Sequence, residues 1–245
     1  MNIAVIFAGG VGKRMNSKDI PKQFLELFGK PIIIWTLEHF EKNVQTDAVV
    51  IACLEEYTEY LSNLLQRHDI HKVRKIVPGG ETGQLSIYNG LLAAREIAGH
   101  NDAVVLIHDG VRPFITDDLI TRNIETVKKY GNCITSGVVQ ETVVEVDDEG
   151  DICLVPKRKN SRVAKAPQSG LLNEILSVHE QAMKNGVYDS IDTCTLLHTY
   201  GKKLHMIDGP AENIKITTRE DYFLARAILE ARENNQLYYP DEERK

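Results

Sequence analysis

Short β-branched runs, Ile3 to Phe7, Ala48 to Cys53, Val73 to Val77, Ala103 to Ile107 and Cys133 to Val138, recur through the first half of the chain with helical segments between them. Strands separated by helix-length segments pair in parallel, with the helices on the faces of the sheet. Two of those helices are directly visible. Pro31 suits a first helical turn running to about Phe40, and Ser86 to Ile97 carries apolar residues at i, i+3 and i+4. A βαβαβ-like α/β domain is therefore expected, with a predominantly parallel sheet.

From Glu141 to Asp151 the alternation changes: Val143, Val144 and Val146 lead into Asp147-Asp148-Glu149-Gly150, and Ile152 to Val155 follow. An acidic, glycine-ended turn between two strand-like runs predicts a β-hairpin, projecting as an arm over about 139–156. Helices at about Leu171 to Lys184 and Arg219 to Glu233 restore the earlier pattern. This gives a single domain over 1–233 and a polar, loosely held tail over 234–245. A formal net charge of −6 argues against a nucleic-acid partner, since such proteins carry a positive excess to replace phosphate counterions. The four cysteines lie far apart with no C-x-x-C pair, so they read as reduced thiols rather than a zinc knuckle or disulfide framework. No stretch approaches the roughly 18 apolar residues that span a bilayer, and a cytoplasmic protein is expected.

Ala8-Gly9-Gly10-Val11-Gly12-Lys13-Arg14-Met15 directly follows the first predicted strand. Glycines there let backbone N–H groups approach a triphosphate, and Lys13 and Arg14 supply positive charge. A Walker A loop needs Ser or Thr after Gly-Lys, where Arg14 stands; a dinucleotide fingerprint needs a small residue where Met15 stands. Both fail, and the loop taken alone is equally compatible with a structural turn. Pro21-Lys22-Gln23-Phe24 then brings another basic residue to the same loop end.

With Gly29-Lys30-Pro31-Ile32 added, this order resembles the nucleotidyltransferases that activate sugar or polyol phosphates. Within them it resembles the polyol-phosphate cytidylyltransferases acting on 2-C-methyl-D-erythritol 4-phosphate and on ribitol 5-phosphate. Further blocks keep the family's order: His108-Asp109-Gly110-Val111-Arg112-Pro113-Phe114; Val155-Pro156-Lys157-Arg158 with Ala166-Pro167-Gln168; and Glu212-Asn213-Ile214-Lys215-Ile216-Thr217. The resemblance covers nearly the whole chain. It implies a Rossmann-like fold with a protruding dimerisation arm, CTP and a small polyol phosphate as substrates, and Mg²⁺ or another divalent cation as cofactor.

By that resemblance Arg14, Lys22 and Lys215 stabilise the triphosphate and the transition state. Ala8, Gly9, Gly10, Gly12, Gly80 and Ser86 bind the nucleotide, with Asp109 as a ribose or Mg²⁺ ligand. Arg112 and Arg158 bind the acceptor's phosphate, Thr142 contacts the acceptor in the neighbouring subunit, and Asp192 contacts its hydroxyls. Structural alternatives stay open for four of these: a solvated loop arginine for Arg14, a helix N-cap for Asp109 and for Asp192, and a surface lysine on a strand edge for Lys215. The chain departs from the family at Gly83, where arginine is frequent, at Glu141, at Lys165-Ala166 in place of Gln-Thr, and at Ile191 in place of threonine.

Val111 and Ile20-Pro21-Lys22-Gln23-Phe24-Leu25-Glu26-Leu27 resemble the ribitol branch, so D-ribitol 5-phosphate is the expected acceptor, with the methylerythritol phosphate of isoprenoid biosynthesis as the alternative. A catalytically silent nucleotide-binding regulator on the same fold is the non-enzyme alternative. Joint retention of Arg14, Lys22, Asp109, Arg158 and Lys215 argues against it. A nicotinamide dehydrogenase is disfavoured by Met15.

Overall fold

Each β-branched run of the first half is a strand, and all of them lie in one sheet. The structure, a computed structural model, describes residues 1–10 and 20–233. Strands β1 (Asn2–Ala8), β4 (Ala48–Cys53), β5 (Val73–Pro78) and β6 (Val104–Asp109) pair in parallel, with β1 between β4 and β6. Strand β10 (Arg162–Leu171) runs antiparallel between β6 and β7 (Asn132–Val138), and β11 (Met206–Asp208) pairs parallel with β7. The seven-stranded order is β11-β7-β10-β6-β1-β4-β5.

Successive side chains of β1 enter opposite cores, as the two-residue period of a strand requires. Ala4, Ile6 and Ala8 pack under α1 (Ile32–Lys42), α2 (Thr58–Arg67) and α4 (Asp117–Tyr130). Ile3 and Val5 pack under α3 (Gly83–Ala98), α5 (Leu172–Lys184) and α6 (Thr193–Thr199). Burial on both faces explains why these strands read as continuous apolar runs rather than alternating ones. Helix α3 crosses β1 so closely that a Cβ at Gly90 would lie 2.5 Å from Val5 Cγ1.

The connection out of β1 passes through α1 to β4 on one side, while β6 joins β1 on the other. That divergence opens a crevice beyond the carboxyl ends of β1 and β6, where open α/β sheets bind ligands. Phe7 and Asp109 are register partners at that end.

Residues 139–161 link β7 to β10. Antiparallel neighbours need no crossover helix, so this connection is free to leave the sheet. It carries a two-stranded ribbon, β8 (Glu145–Val146) against β9 (Ile152–Leu154). Asp147 Oδ1 holds the turn by accepting from the Glu149 and Asp151 amides at 3.0 and 2.9 Å, and Gly150 takes the left-handed φ of 92°. Val143, Val144, Val146, Ile152, Leu154 and Val155 are exposed along it.

Several element boundaries differ from those expected. Pro31 precedes α1 and pairs, with Lys30, as β3 (Lys30–Pro31) against β2 (Glu26–Leu27); the helix begins at Ile32 and continues two residues past Phe40. Helix α3 starts at Gly83 rather than Ser86, because the Thr82 side chain accepts from the Leu85 amide and caps it. Helices α2, α4 and α6 and strands β10 and β11 are additions. The last helix, α7 (Arg219–Glu233), contributes Ala225 to a small core with Leu27, Ile32, Val111, Phe114 and Ile216. The tail 234–245 lies outside the described residues. Among the described residues no helix is long and apolar enough to cross a membrane.

Candidate active site

The crevice holds two adjoining cavities. The larger, about 410 Å³, is lined by Ala8, Gly9, Gly10, Lys22, Gly80 and Ser86, with Asp109 and Lys215 at one end. The smaller, about 230 Å³, is lined by Arg112, Lys165, Gln168 and Asp192, again with Asp109 and Lys215. Phe7 and Gly83 also face both.

At the larger cavity, close backbone approach explains the glycines. A Cβ at Gly9 would lie 3.1 Å from Ser86 Oγ, and one at Gly79 3.3 Å from it. The Gly80 amide donates to Ser86 Oγ at 3.0 Å, and that hydroxyl donates to the Thr82 carbonyl at 2.9 Å. The loop after β5 is thereby fixed to the start of α3. The Pro21-Lys22-Gln23-Phe24 segment is anchored just as firmly. Gln23, 1% exposed, donates to the Ala8 carbonyl at 2.6 Å, and Phe24 stacks on Tyr57 with ring centroids 5.1 Å apart. Lys22 therefore rides on a turn pinned to both the end of β1 and the residues before α2. Gly12 and Arg14 lie outside the described residues.

Asp109 sits at the carboxyl end of β6, where the two cavities meet. No helix begins there, since Thr116 caps α4, so the N-cap alternative is not realised. Its Oδ2 accepts from Arg112 Nε at 2.7 Å and its Oδ1 lies 2.5 Å from Lys215 Nζ. Burial opposes ionisation of Asp109, but Lys215 and Arg112 outweigh it and hold the carboxyl at about 2. Arg112 also donates to the Asn213 carbonyl at 3.0 Å, joining the β6 loop to the segment that carries Lys215. Lys215 lies in no strand, so the strand-edge alternative is not realised, and its ammonium lies 5.6 Å from the Phe7 ring centroid.

Three side chains hold the Gly110–Pro113 loop from behind. Thr36 donates to the Gly110 carbonyl at 3.2 Å, His108 to that of Arg112 at 3.2 Å and His39 to that of Pro113 at 3.1 Å. Burial lowers His108 to about 3 and His39 to about 4, so both rings are neutral at physiological pH and keep one N–H for those bonds.

On the smaller cavity Asp192 is the N-cap of α6. Its Oδ1 accepts from the Thr195 amide at 2.7 Å and its Oδ2 from Gln168 Nε2 at 2.9 Å. Both oxygens are thus committed to structure while the residue still lines the cavity, and the capping alternative is the one its bonds fit. Thr142 and Arg158 line neither cavity. They are exposed and meet each other, Arg158 Nη2 donating to Thr142 Oγ1 at 3.1 Å. Residues given no role from the sequence also face or build the site. Gln23 lay within a recognised motif, and its amide is the kind of side chain that ties off a buried carbonyl; Gln168 joins Asp192 to the Cys194 amide at 2.7 Å. Thr82 carried the ordinary N-cap signal ahead of an apolar run.

Glycine-lined space at a sheet's carboxyl edge, flanked by lysines and joined through one buried carboxylate to a second cationic cavity, is an arrangement suited to an α/β nucleotidyltransferase. Comparison with known proteins gives the family. The family model described as 2-C-methyl-D-erythritol 4-phosphate cytidylyltransferase (IspD) matches residues 2–231, and the chain belongs to that family of polyol-phosphate cytidylyltransferases. It is an enzyme of the nucleotidyltransferase class. It is 51% identical to the ribitol-5-phosphate cytidylyltransferase of Streptococcus agalactiae serotype V over 97% of this chain and 99% of that one. With a 2-C-methyl-D-erythritol 4-phosphate cytidylyltransferase of Clostridium botulinum the identity is 40%, over 94% of this chain and 97% of the relative. The fold is shared with the crystal structure of 4-diphosphocytidyl-2C-methyl-D-erythritol synthase from Anaerococcus prevotii, at a TM-score of 0.81 and 26% identity, covering 94% of this chain and 96% of the other.

Proposed function

We propose that this chain is a ribitol-5-phosphate cytidylyltransferase, forming CDP-ribitol and pyrophosphate from CTP and D-ribitol 5-phosphate in the cytoplasm. One observation carries the reaction: the two cavities meet at Asp109 and Lys215, so a nucleotide in one and a phosphate in the other share a boundary. The 51% identity to a ribitol-5-phosphate enzyme, against 40% to a methylerythritol one, supports the choice of acceptor.

The acceptor's phosphate needs no general base, because a phosphate monoester with a second pKa near ~6 is already largely dianionic at neutral pH. One of its oxygens attacks the α-phosphorus of CTP, and the bond to the β-phosphate oxygen breaks as pyrophosphate leaves. The protein's part is positioning and neutralising the charge that grows on the phosphoryl oxygens. In our reading Lys22, Arg14 and Lys215 supply that charge, and Gly9, Gly80 and Ser86 hold the base in a pocket of fixed backbone groups. Asp109 is the carboxylate that would hold Mg²⁺ in this reading, together with substrate phosphates, and it would do so only by sharing oxygens that already face Arg112 and Lys215. The ion, when bound, adds charge neutralisation at the phosphates. Its place is restricted by the cations already on Asp109, and among the described residues no cluster of three acidic, histidine or cysteine side chains offers a stronger one.

Arg158 and Thr142, which line neither of their own chain's two cavities, serve the acceptor of a second subunit in this proposal. The exposed apolar ribbon β8–β9 is the surface that pairs the two, since an isolated two-stranded ribbon gains too little burial to stand alone in water. The test is pyrophosphate release with each of the four NTPs, Mg²⁺ and a panel of polyol phosphates. CTP with D-ribitol 5-phosphate should give the highest kcat/KM. Faster turnover of 2-C-methyl-D-erythritol 4-phosphate would reassign the acceptor, and equal rates with ATP or GTP would defeat the cytidylyl reading.

A further inference from the structure

By the resemblance described above Lys165 stands in place of a glutamine, and none of the roles above uses it. It lies in β10 where the pairing with β7 shifts register between Ala164 and Gln168, a place at which an irregular strand re-aims its side chains. Its stem crosses β7 at Gly137: a Cβ there would lie 2.8 Å from Lys165 Cε, so glycine leaves the path open. The ammonium donates to the carbonyls of Pro210 and Ala211 at 3.2 and 3.1 Å, ahead of the segment that bears Lys215.

The charges of the smaller cavity do not cancel. Arg112, Lys165 and Lys215 line it against Asp109 and Asp192. Asp109 is shared by Arg112 and Lys215, and Asp192 is committed to the start of α6 and to Gln168. The ion pairs among the described residues do not include Lys165. Two carbonyls occupy two of its three donors, leaving one proton and a whole charge unmatched. Burial and then the charge of Arg112 lower its pKa, as befits a half-buried cation lacking a counter-ion.

We propose that Lys165 binds the acceptor's phosphate, its third N–H and uncompensated charge completing a dianion site with Arg112 and Lys215. This rests on the polyol-phosphate reading above. A hydroxyl ligand would satisfy the proton but leave the charge, whereas a phosphate monoester satisfies both. The site then draws on three cations of its own chain, Arg112, Lys165 and Lys215, as well as on the arm.

The experiment compares the full-length protein with Lys165→Gln and Lys165→Arg, measuring kcat, both KM values and thermal melting. Loss of one charge-assisted bond predicts a rise of about 10- to 100-fold in the acceptor KM of Lys165→Gln, with the CTP KM within about twofold. Lys165→Arg should recover most of it. An unchanged acceptor KM, or CTP and acceptor KM values that rise together with a lower melting temperature, would overturn the proposal in favour of a tie between β10 and the 210–211 segment. The comparison is made on whichever polyol phosphate the unaltered protein turns over, so a wrong acceptor does not obscure it. If none is turned over, calorimetric binding of inorganic phosphate replaces kinetics; equal affinity in the unaltered protein and Lys165→Gln would equally overturn it.

Discussion

Asp109→Asn should destabilise the fold through the charge it removes, and the size follows from the site. The carboxyl is held at about 2 against an ordinary 3.8, because Lys215 and Arg112 outweigh the burial that opposes its ionisation. At about 1.4 kcal/mol per tenfold, that gap corresponds to roughly 2 kcal/mol of stability at neutral pH. Asparagine would in addition leave Arg112 and Lys215 side by side without a counter-charge. Lys215 is 37% exposed and partly screened by water, so the further penalty is small and the expected total is about 2–3 kcal/mol at pH 7. A folded-state pKa below the unfolded one stabilises above the unfolded value and loses that contribution as pH falls through the folded value. Roughly half of the carboxyl's share is therefore gone near pH 3. Urea unfolding followed by far-ultraviolet circular dichroism, on both proteins at pH 7 and at the lowest pH where both fold, measures the difference. Equal stability at pH 7 would refute the reasoning, as would a gap that fails to narrow on acidification.

The two halves of the site should separate kinetically. Lys22→Ala is expected to lower kcat by about 10²-fold or more, the loss seen when a preorganised donor to the transition state is removed. Arg158→Ala should chiefly raise the acceptor KM and leave that of CTP nearly unchanged; a selective loss of CTP affinity would put that arginine on the wrong substrate. Sedimentation should find a dimer at micromolar concentration, and a monomer would remove the basis for assigning Arg158 and Thr142 to a second subunit.

Much of the fold could be read because its strands are buried on both faces. A run such as Ala48–Cys53, with every residue buried, has no competing interpretation once helix-length segments flank it. Helix α4 was not among the expected elements although it carries its signals, with Thr116 at the cap, Asp117 and Asp118 in the first turn, Lys128 and Lys129 in the last and Gly131 in the left-handed conformation after it. Strand β10 is different. Its pattern, Arg162 to Leu171, begins exposed and ends buried and includes Pro167, so neither periodicity nor composition marks it. Its place is fixed by pairing with β6 and β7. The seven-residue helix α6 is too short for periodicity to reveal.

For the site, residue identity was legible and connectivity was not. Asp109, Lys22 and Lys215 stand out by type and motif, but that one carboxylate serves both Arg112 and Lys215 depends on residues 101 positions apart meeting through the Arg112 bond to the Asn213 carbonyl. That sharing has a physical purpose. Gathering Arg112, Lys165, Lys215 and Lys22 along the two cavities, around the phosphates in our proposal, costs mutual repulsion, and Asp109 offsets part of it at the boundary between them. Because the carboxylate is buried and the histidines behind it are neutral, the arrangement is fixed by geometry across the physiological pH range. A site whose chemistry is charge neutralisation needs those positions set in advance, since dipoles and charges that must reorganise during the reaction stabilise its transition state less. The pinned walls of the larger cavity, Gln23 on Ala8 and Ser86 on Gly80, supply that rigidity from the sheet. The acceptor side is left open to an arm from a second subunit in our proposal, which places specificity for the polyol where the sequence departs from its family: Lys165, Ala166 and Ile191 all line the smaller cavity.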